Sequence, residues 1–490
     1  MCIESRDILC EALRKDLHKC KFESYFFEVN QLEHEINDHL EHIDEWMRPE
    51  RVGTDLLNLP GRSFVKRDPL GVACIIGAWN YPILLSLQPL AGCISAGNCC
   101  LLKVPSNKYS KATSAAIADL CGKYLDRDAI RVVEGDRHMT QAILNERYDT
   151  YFFTGGSFVG KMVYQAAARE LTPAILELGG KSPCVVDKSA DVRVTALRLA
   201  QGKWTNAGQT CIAPDYLLVH EDIADALFAE LERVTKGFFG KDPQKSEAFG
   251  RLINERAFDR SEKLLEASRK YLRFGGSKDR SEKFIAPSLF DYGTDADAFA
   301  SSPLMAEEIF APLLPALRWK RLDDVIEFVL AREKPLSFYC YAGDQRVIRR
   351  AYEETTSGAF VANDCLVHMS NHELPFGGVG RSGMGRYHGK YSFEAFSHPK
   401  ACMVKPFWPD VLLRPFRYPQ AGQSESVRKF VFFVTYAVQY PYRLFPKIPF
   451  FGTILKALVF AWLFKVALSF DGFHAFVKYA LQTALAAIEK

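Results

Sequence analysis

The chain carries thirteen cysteines and not one Cys-x-x-Cys pair, so neither a zinc site nor a disulfide framework is written into their spacing. It lacks an excess of one charge. Its 62 basic residues stand against 59 acidic ones, a formal net charge of +3 spread along the chain, so nothing points to the basic surface of a nucleic-acid binder. Internal repeats and low-complexity tracts are also missing. The opening stretch, "MCIESRDILCEALRKDLHK", lacks the long apolar core of a signal peptide, and a start in a reducing, cytosolic compartment is the expectation. What is present is a 490-residue chain of 48% apolar composition, enough for a sizeable core split into two or three domains. Small-molecule chemistry suits such a chain.

From Val29 the apolar positions Leu32, Ile36, Leu40 and Ile43 recur at three and four residues, which predicts an amphipathic helix ending near Pro49. His34, Asp38 and His42 share its polar face and read as solvated side chains; no metal site is expected. Further on, apolar runs bounded by Gly, Pro or Asn alternate with helical patterns: "VACIIGAWN", "CCLLKVP", "TYFFTGG", "AILELGG", "PCVVD", "YLLVH", "LLPALRW", "LSFYCYA" and "GAFVAND". Buried strands joined by crossover helices have that rhythm, so the fold class is α/β with parallel sheets, and ligands are expected beyond the strands' carboxyl ends.

Four stretches carry candidate chemistry. In "FFTGGSFVGKM", Gly155, Gly156 and Gly160 sit between a strand and a helical pattern, where backbone amides face a phosphate or merely form a tight turn. The spacing mimics G-x-x-x-x-G-K, but Met162 replaces the Ser or Thr that would hold magnesium, and this loop lacks G-x-G-x-x-G. "LELGGKSP" ends a strand with Glu177 before a double glycine. Desolvation there would raise its pKa toward that of a general base; the alternative is a capping or ion-paired glutamate. "NAGQTCIAPD" sets Cys211 among small and polar residues, as a nucleophile or as an inert loop cysteine. "WNYP" puts Asn80 at a strand end, as a donor to an oxyanion or as an ordinary turn residue.

In this order "WNYP", "FTGG", "LELGGKSP", "NAGQTCIAPDY", "EEIFAP", "REKPL" and "LPFGGVGRSGMGRYHGKYSFEAFSH" resemble the aldehyde dehydrogenase superfamily, over about Leu9 to Val404. "CIAPDY" and "SGMGRYHGKYSFEAFSH" resemble its class 3 branch, which includes membrane-anchored fatty aldehyde dehydrogenases. The resemblance implies a Rossmann-like coenzyme domain, an α/β catalytic domain, and a small bridging element for homodimerisation. Its boundaries would be 1–177 for the coenzyme domain with a bridging segment near 52–70, 178–380 for the catalytic domain, 381–406 for the return segment, and 407–490 for a linker and tail. It implies Cys211 as nucleophile, Glu177 as base and Asn80 as oxyanion donor. For NAD or NADP it implies Glu308 and Phe310 on the nicotinamide side, Lys103 on the adenosine ribose, and Thr154, Gly155, Gly156 and Gly160 facing the pyrophosphate or adenine side.

The chain departs from the family pattern in four places. "KVPSNK" has Ser106 or Asn107 where a ribose-gripping glutamate is usual, and the missing carboxylate favours NADP, whose 2′-phosphate it would repel. Gly156 replaces Ser or Asn, Ala311 replaces glycine, and the N-terminus starts about one helix later than in class 3 relatives.

Beyond Pro406 the composition changes to a Pro-rich linker and an aromatic tail with Phe430, Phe432, Phe433, Phe450, Phe451, Phe460, Trp462 and Phe464. Residues 448–470 have the length of a bilayer span, about 20 residues, interrupted by Lys456 and Lys465. An apolar helical tail associated with membrane lipid is expected, with the catalytic part facing the cytosol, at the endoplasmic reticulum ahead of the mitochondrial outer membrane. Long-chain aldehydes are then the expected substrates. Two other readings remain at this stage: a soluble class 3 enzyme for medium-chain or aromatic aldehydes, and a catalytically silent protein of the same fold.

Overall fold

The computed structural model describes residues 1–407 apart from 56, 57, 59 and 107, together with 425, 429 and 478. The apolar tail expected over 407–490 therefore lies almost wholly outside the described residues, as does Asn107. One compact unit comprises Met1–Arg48 with Arg67–Pro399; the other comprises Pro49–Lys66 with the described residues from Lys400 onward.

All nine apolar runs contain strands, and those strands build two sheets within the first unit. The six-stranded sheet runs Gly383–Met384, Ala174–Leu178, Thr150–Gly155, Val72–Ile76, Cys99–Lys103, Ile130–Val133. Every pairing in it is parallel except that of Gly383–Met384 with Ala174–Leu178. In the central strand, Ala73 and Ile75 enter one apolar cluster while Cys74 and Ile76 enter another. Both faces are buried, which is why the run is apolar throughout rather than alternating. From Val72–Ile76 the chain order proceeds outward in both directions, so a topological switch point lies between this strand and Thr150–Gly155. The strand ends on either side of that point deliver residues 77–80, 154–156 and 177–179 to one crevice.

The seven-stranded sheet runs Leu272–Phe274, Ser288–Asp291, Leu313–Trp319, Tyr216–His220, Pro183–Val186, Ser337–Tyr341, Ala359–Ala362, antiparallel only at its first pair. A separate three-stranded sheet is formed by Glu50–Val52, Arg62–Pro69 and Ser397–Val404. Its strands are largely exposed and carry charged residues, so they lack the apolar runs that marked the others.

The helix expected from Val29 spans Asn30–Trp46; Leu32 is buried and Ile36 packs against the core, but polar and charged residues share the buried face. Leu40 is 72% exposed, whereas Glu35 and His39 are buried. Donors from distant segments make that possible. The Glu35 carboxylate accepts from His372 Nδ1 at 2.7 Å, the Gly389 amide at 2.9 Å and Gln88 Nε2 at 3.2 Å, so its burial is compensated.

Candidate active site

The crevice at the switch point is a cavity of about 400 Å³. Asn80, Ser106, Thr154, Gly155, Gly156, Glu177, Cys211, Glu308 and Phe310 all line it. Two expected residues do not. Lys103 is buried at the end of its strand, its ammonium pKa drawn down to about 8 by burial with Asp136 opposing. Gly160 is buried one turn into the helix Ser157–Arg169, where a side chain would press into Leu178. The reading also missed Trp79 and Tyr109 in the lining. Trp79 stands inside the quoted "WNYP" and meets Phe310 edge-on at 5.4 Å between ring centroids.

Cys211 follows a strained turn. The helix Val192–Trp204 ends, and Asn206 (φ 52°), Ala207 (φ 52°) and Gly208 (φ 76°) are all left-handed. Left-handed backbone costs about 1–2 kcal/mol at a residue such as Ala207 and less at asparagine or glycine, so this run needs its surroundings to hold it. They do. Asn206 Nδ2 donates to the carbonyls of Asn80 at 2.8 Å and Gln209 at 3.1 Å. Gln209 Nε2 donates to the carbonyls of Asn206 and Arg251, and its Oε1 accepts the Ile253 amide. At Gly208 a Cβ would collide with the Ala311 carbonyl. Beyond the turn, the Tyr81 and Thr210 hydroxyls meet at 2.7 Å, and the Tyr339 hydroxyl donates to the Ile212 carbonyl.

The Asn80 side chain is 4% exposed and gives one Nδ2 hydrogen to the Gln209 carbonyl at 3.1 Å, leaving its second hydrogen for a ligand. Glu177 is 3% exposed, and neither carboxyl oxygen has a hydrogen-bond partner among the described residues. Burial alone pushes its carboxyl well above the usual range. The Cys211 thiol is pushed up to about 12, first by burial and then by the negative charges of Glu308 and Glu177. The amides of Cys211 and Ile212 pull the other way. Both Cys211 and Glu308 keep part of their surface open.

Glu308 and Phe310 are placed by a clamp. Lys181 binds the Asp215 carboxylate and donates to the carbonyls of Leu304 and Glu307 at 2.8 and 2.9 Å. Asp215 Oδ1 in turn accepts the Ile309 amide at 2.9 Å, and Arg260 donates to the Ile309 carbonyl at 2.7 Å. Burial and then Asp215 raise the Glu308 carboxyl to about 8, with the Gly180 amide opposing. On the other side, Gly156 precedes the helix Ser157–Arg169 with no side-chain cap on its first amides, and a Cβ at Gly156 would meet nothing within 4 Å. The Thr154 hydroxyl is buried without a hydrogen-bond partner among the described residues. Uncapped amides beside open space suit a phosphate, and a carboxyl and a hydroxyl suit ribose, so the lining fits a dinucleotide.

Comparison with known proteins agrees with this chemistry. Among curated proteins, aldehyde dehydrogenase family 3 member B1 of Mus musculus is 43% identical over 402 residues, 82% of this chain and 84% of that protein. A Canis lupus familiaris protein named aldehyde dehydrogenase, dimeric NADP-preferring, is 41% identical over 411 residues, 84% of this chain and 88% of its own. Among solved structures, the substrate-bound state of Staphylococcus aureus AldH matches with a TM-score of 0.82 and 38% identity, covering 89% of this chain and 92% of that one. The model of the aldehyde dehydrogenase family matches residues 2–402, and a chain that meets it over that length, with these relatives and this crevice, belongs to that family, an oxidoreductase using NAD or NADP.

Proposed function

We propose that the protein oxidises long-chain aldehydes to carboxylic acids, with Cys211 as nucleophile, Glu177 as base and Asn80 as oxyanion donor. One observation carries the assignment of roles: Cys211, Glu177, Asn80 and Glu308, spread over more than two hundred positions, line one cavity. The Cys211 thiol gives up its proton to water and its sulfur adds to the aldehyde carbon, the carbonyl π pair moving to oxygen. The oxygen left negative is stabilised by the Asn80 amide and the Cys211 backbone N–H, donors of a kind worth roughly 100- to 1,000-fold in kcat. NAD or NADP, when bound between the amides at Gly156 and Glu308 with Phe310, supplies a hydride acceptor. The acyl group is then a thioester on Cys211. Glu177, with both oxygens unpartnered, takes a proton from water, whose oxygen attacks the thioester carbon and displaces the thiolate.

Ser106 in the cavity lining, where a carboxylate is usual, supports use of NADP. The aromatic tail supports membrane lipid as a partner and long-chain substrates, and the name of the canine relative supports a homodimer. In this reading the coenzyme portion is 1–177 with a bridge near 52–70, the catalytic portion 178–380, the return 381–406 and the tail 407–490. The test is a chain-length series of aldehydes with NAD and with NADP. Rates per KM should rise toward long chains; a maximum at short or aromatic aldehydes would overturn the substrate class. Cys211→Ala should give no acyl-enzyme and no NADH burst, while Glu177→Gln should accumulate acyl-enzyme and lose roughly 100- to 10,000-fold in turnover.

A further inference from the structure

Three charged residues from the first thirty positions stand behind the cavity without lining it. Lys19, Glu23 and Glu28 are all buried. Lys19 Nζ donates to Glu28 Oε1 at 2.7 Å and to the Asn80 carbonyl at 2.8 Å, and lies over the Tyr81 ring at 3.9 Å. Glu28 Oε2 accepts the Ile83 amide at 2.9 Å. Asn80 is thus held from its own backbone by the pair Lys19–Glu28. Glu23 acts on the other side. Its Oε1 accepts the amide of Asn206 at 2.8 Å, across 183 positions of sequence. Asn206 is the first of the three left-handed residues that lead to Cys211.

A buried carboxylate is an expensive acceptor for one backbone amide. Burial draws the Glu23 carboxyl up to about 7, Lys19 and the Asn206 amide hold it down, and Glu28 opposes them. Near neutral pH the carboxyl is therefore balanced between its two forms, and in either form Oε1 offers the N–H an acceptor oxygen that an aliphatic side chain does not. That N–H belongs to the first residue of the left-handed run, next to Ala207, whose Cβ makes that conformation unfavourable.

We propose that Glu23 is a positioning residue for the aldehyde oxidation: by accepting the Asn206 amide it holds the left-handed run Asn206–Ala207–Gly208, and through it the placing of the Cys211 sulfur and amide against Asn80. This rests on the reading of Cys211 as nucleophile. Glu23 touches neither substrate nor coenzyme in this role, so its loss acts on kcat and leaves binding alone.

Four variants of the full chain test it: Glu23→Ala, Glu23→Leu, Glu23→Gln, and Glu23→Ala combined with Ala207→Gly. Removal of the acceptor in Glu23→Ala should lower kcat roughly 10- to 100-fold, with both KM values within about twofold of the parent. Glu23→Leu, which keeps the bulk, should do the same and serves if Glu23→Ala does not fold. Glu23→Gln keeps an acceptor oxygen and should recover most of the rate. Ala207→Gly should recover part of it in the Glu23→Ala background, because glycine takes the left-handed conformation without strain. An unchanged kcat in the Ala and Leu variants, a Gln variant as slow as they are, or no recovery from Ala207→Gly would overturn the proposal. Peptide mass spectrometry of the acyl adduct in the parent separates the two failures. An adduct away from Cys211 removes the nucleophile reading, whereas an adduct on Cys211 with an unaffected Glu23→Ala removes the role of Glu23 alone.

Discussion

At the scale of the residue, the cavity is a place where negative charge is unwelcome and three groups compete to carry it. Cys211 ionises only near 12, Glu308 near 8, and Glu177 is held well above the usual carboxylate range. Among the charges acting on the thiol, Glu308 ranks before Glu177. Glu308→Gln should therefore lower the thiol pKa more than Glu177→Gln does. The sign depends on pH: below about 8 Glu308 is itself protonated and adds little, and above it the carboxylate opposes the thiolate. Alkylation of Cys211 by iodoacetamide should run at similar rates in parent and Glu308→Gln at pH 6.5, and faster in the variant at pH 9. Equal rates at pH 9 would show that the two groups do not feel each other. Glu177 was legible as a carboxylate at the end of an apolar strand, and Cys211 as a cysteine among small and polar residues rather than inside an apolar run. Their protonation states were not legible, since burial and the placing of Glu308 come from segments about one hundred positions away.

At the scale of the element, periodicity found the strands with both faces buried and the helix Asn30–Trp46, but it gave only part of that helix's buried face and did not mark the exposed strands. The buried face was only partly legible because an apolar stripe is only one way to bury a face. Glu35 and His39 are covered instead of Leu40, with His372, Gly389 and Gln88 supplying the bonds. The same logic governs the pair Lys19–Glu28, whose side chains are both fully buried. Lys19→Met would leave Glu28 as an uncompensated buried carboxylate, at a cost of about 3–5 kcal/mol. Glu28 is already raised by burial, with Lys19 the largest opposing influence. Loss of Lys19 raises it further, and a carboxyl raised in the folded state loses stability as pH climbs above its unfolded value. The deficit measured by urea unfolding should accordingly be larger at pH 8 than at pH 5. A loss below about 1 kcal/mol at both pH values would mean that the ammonium does not support the carboxylate.

At the scale of the whole molecule, the cavity and every residue proposed to act in it belong to the unit formed by Met1–Arg48 and Arg67–Pro399. No helix among the described residues is long and apolar enough to cross a membrane, so the expected membrane association rests on the tail alone. A version lacking residues 428–490 should keep turnover on a short, water-soluble aldehyde. It should also stop floating with phosphatidylcholine vesicles in high salt, conditions under which the full chain is expected to float. Flotation of the truncated form would place the lipid contact elsewhere; a full chain released by salt would reduce the association to surface charge.

The order of motifs from "WNYP" to "SGMGRYHGKYSFEAFSH" and the apolar runs were enough to give the α/β class and the aldehyde dehydrogenase family, because strand burial and strand-end residues are local properties of the chain. Only the folded molecule decided which of those residues meet in one crevice, that Lys103 and Gly160 lie outside its lining, and that Glu23 accepts the amide of Asn206 in the turn before Cys211. The physical reason is that left-handed backbone and buried charge are unfavourable alone and persist through hydrogen bonds from distant segments, which no local pattern records.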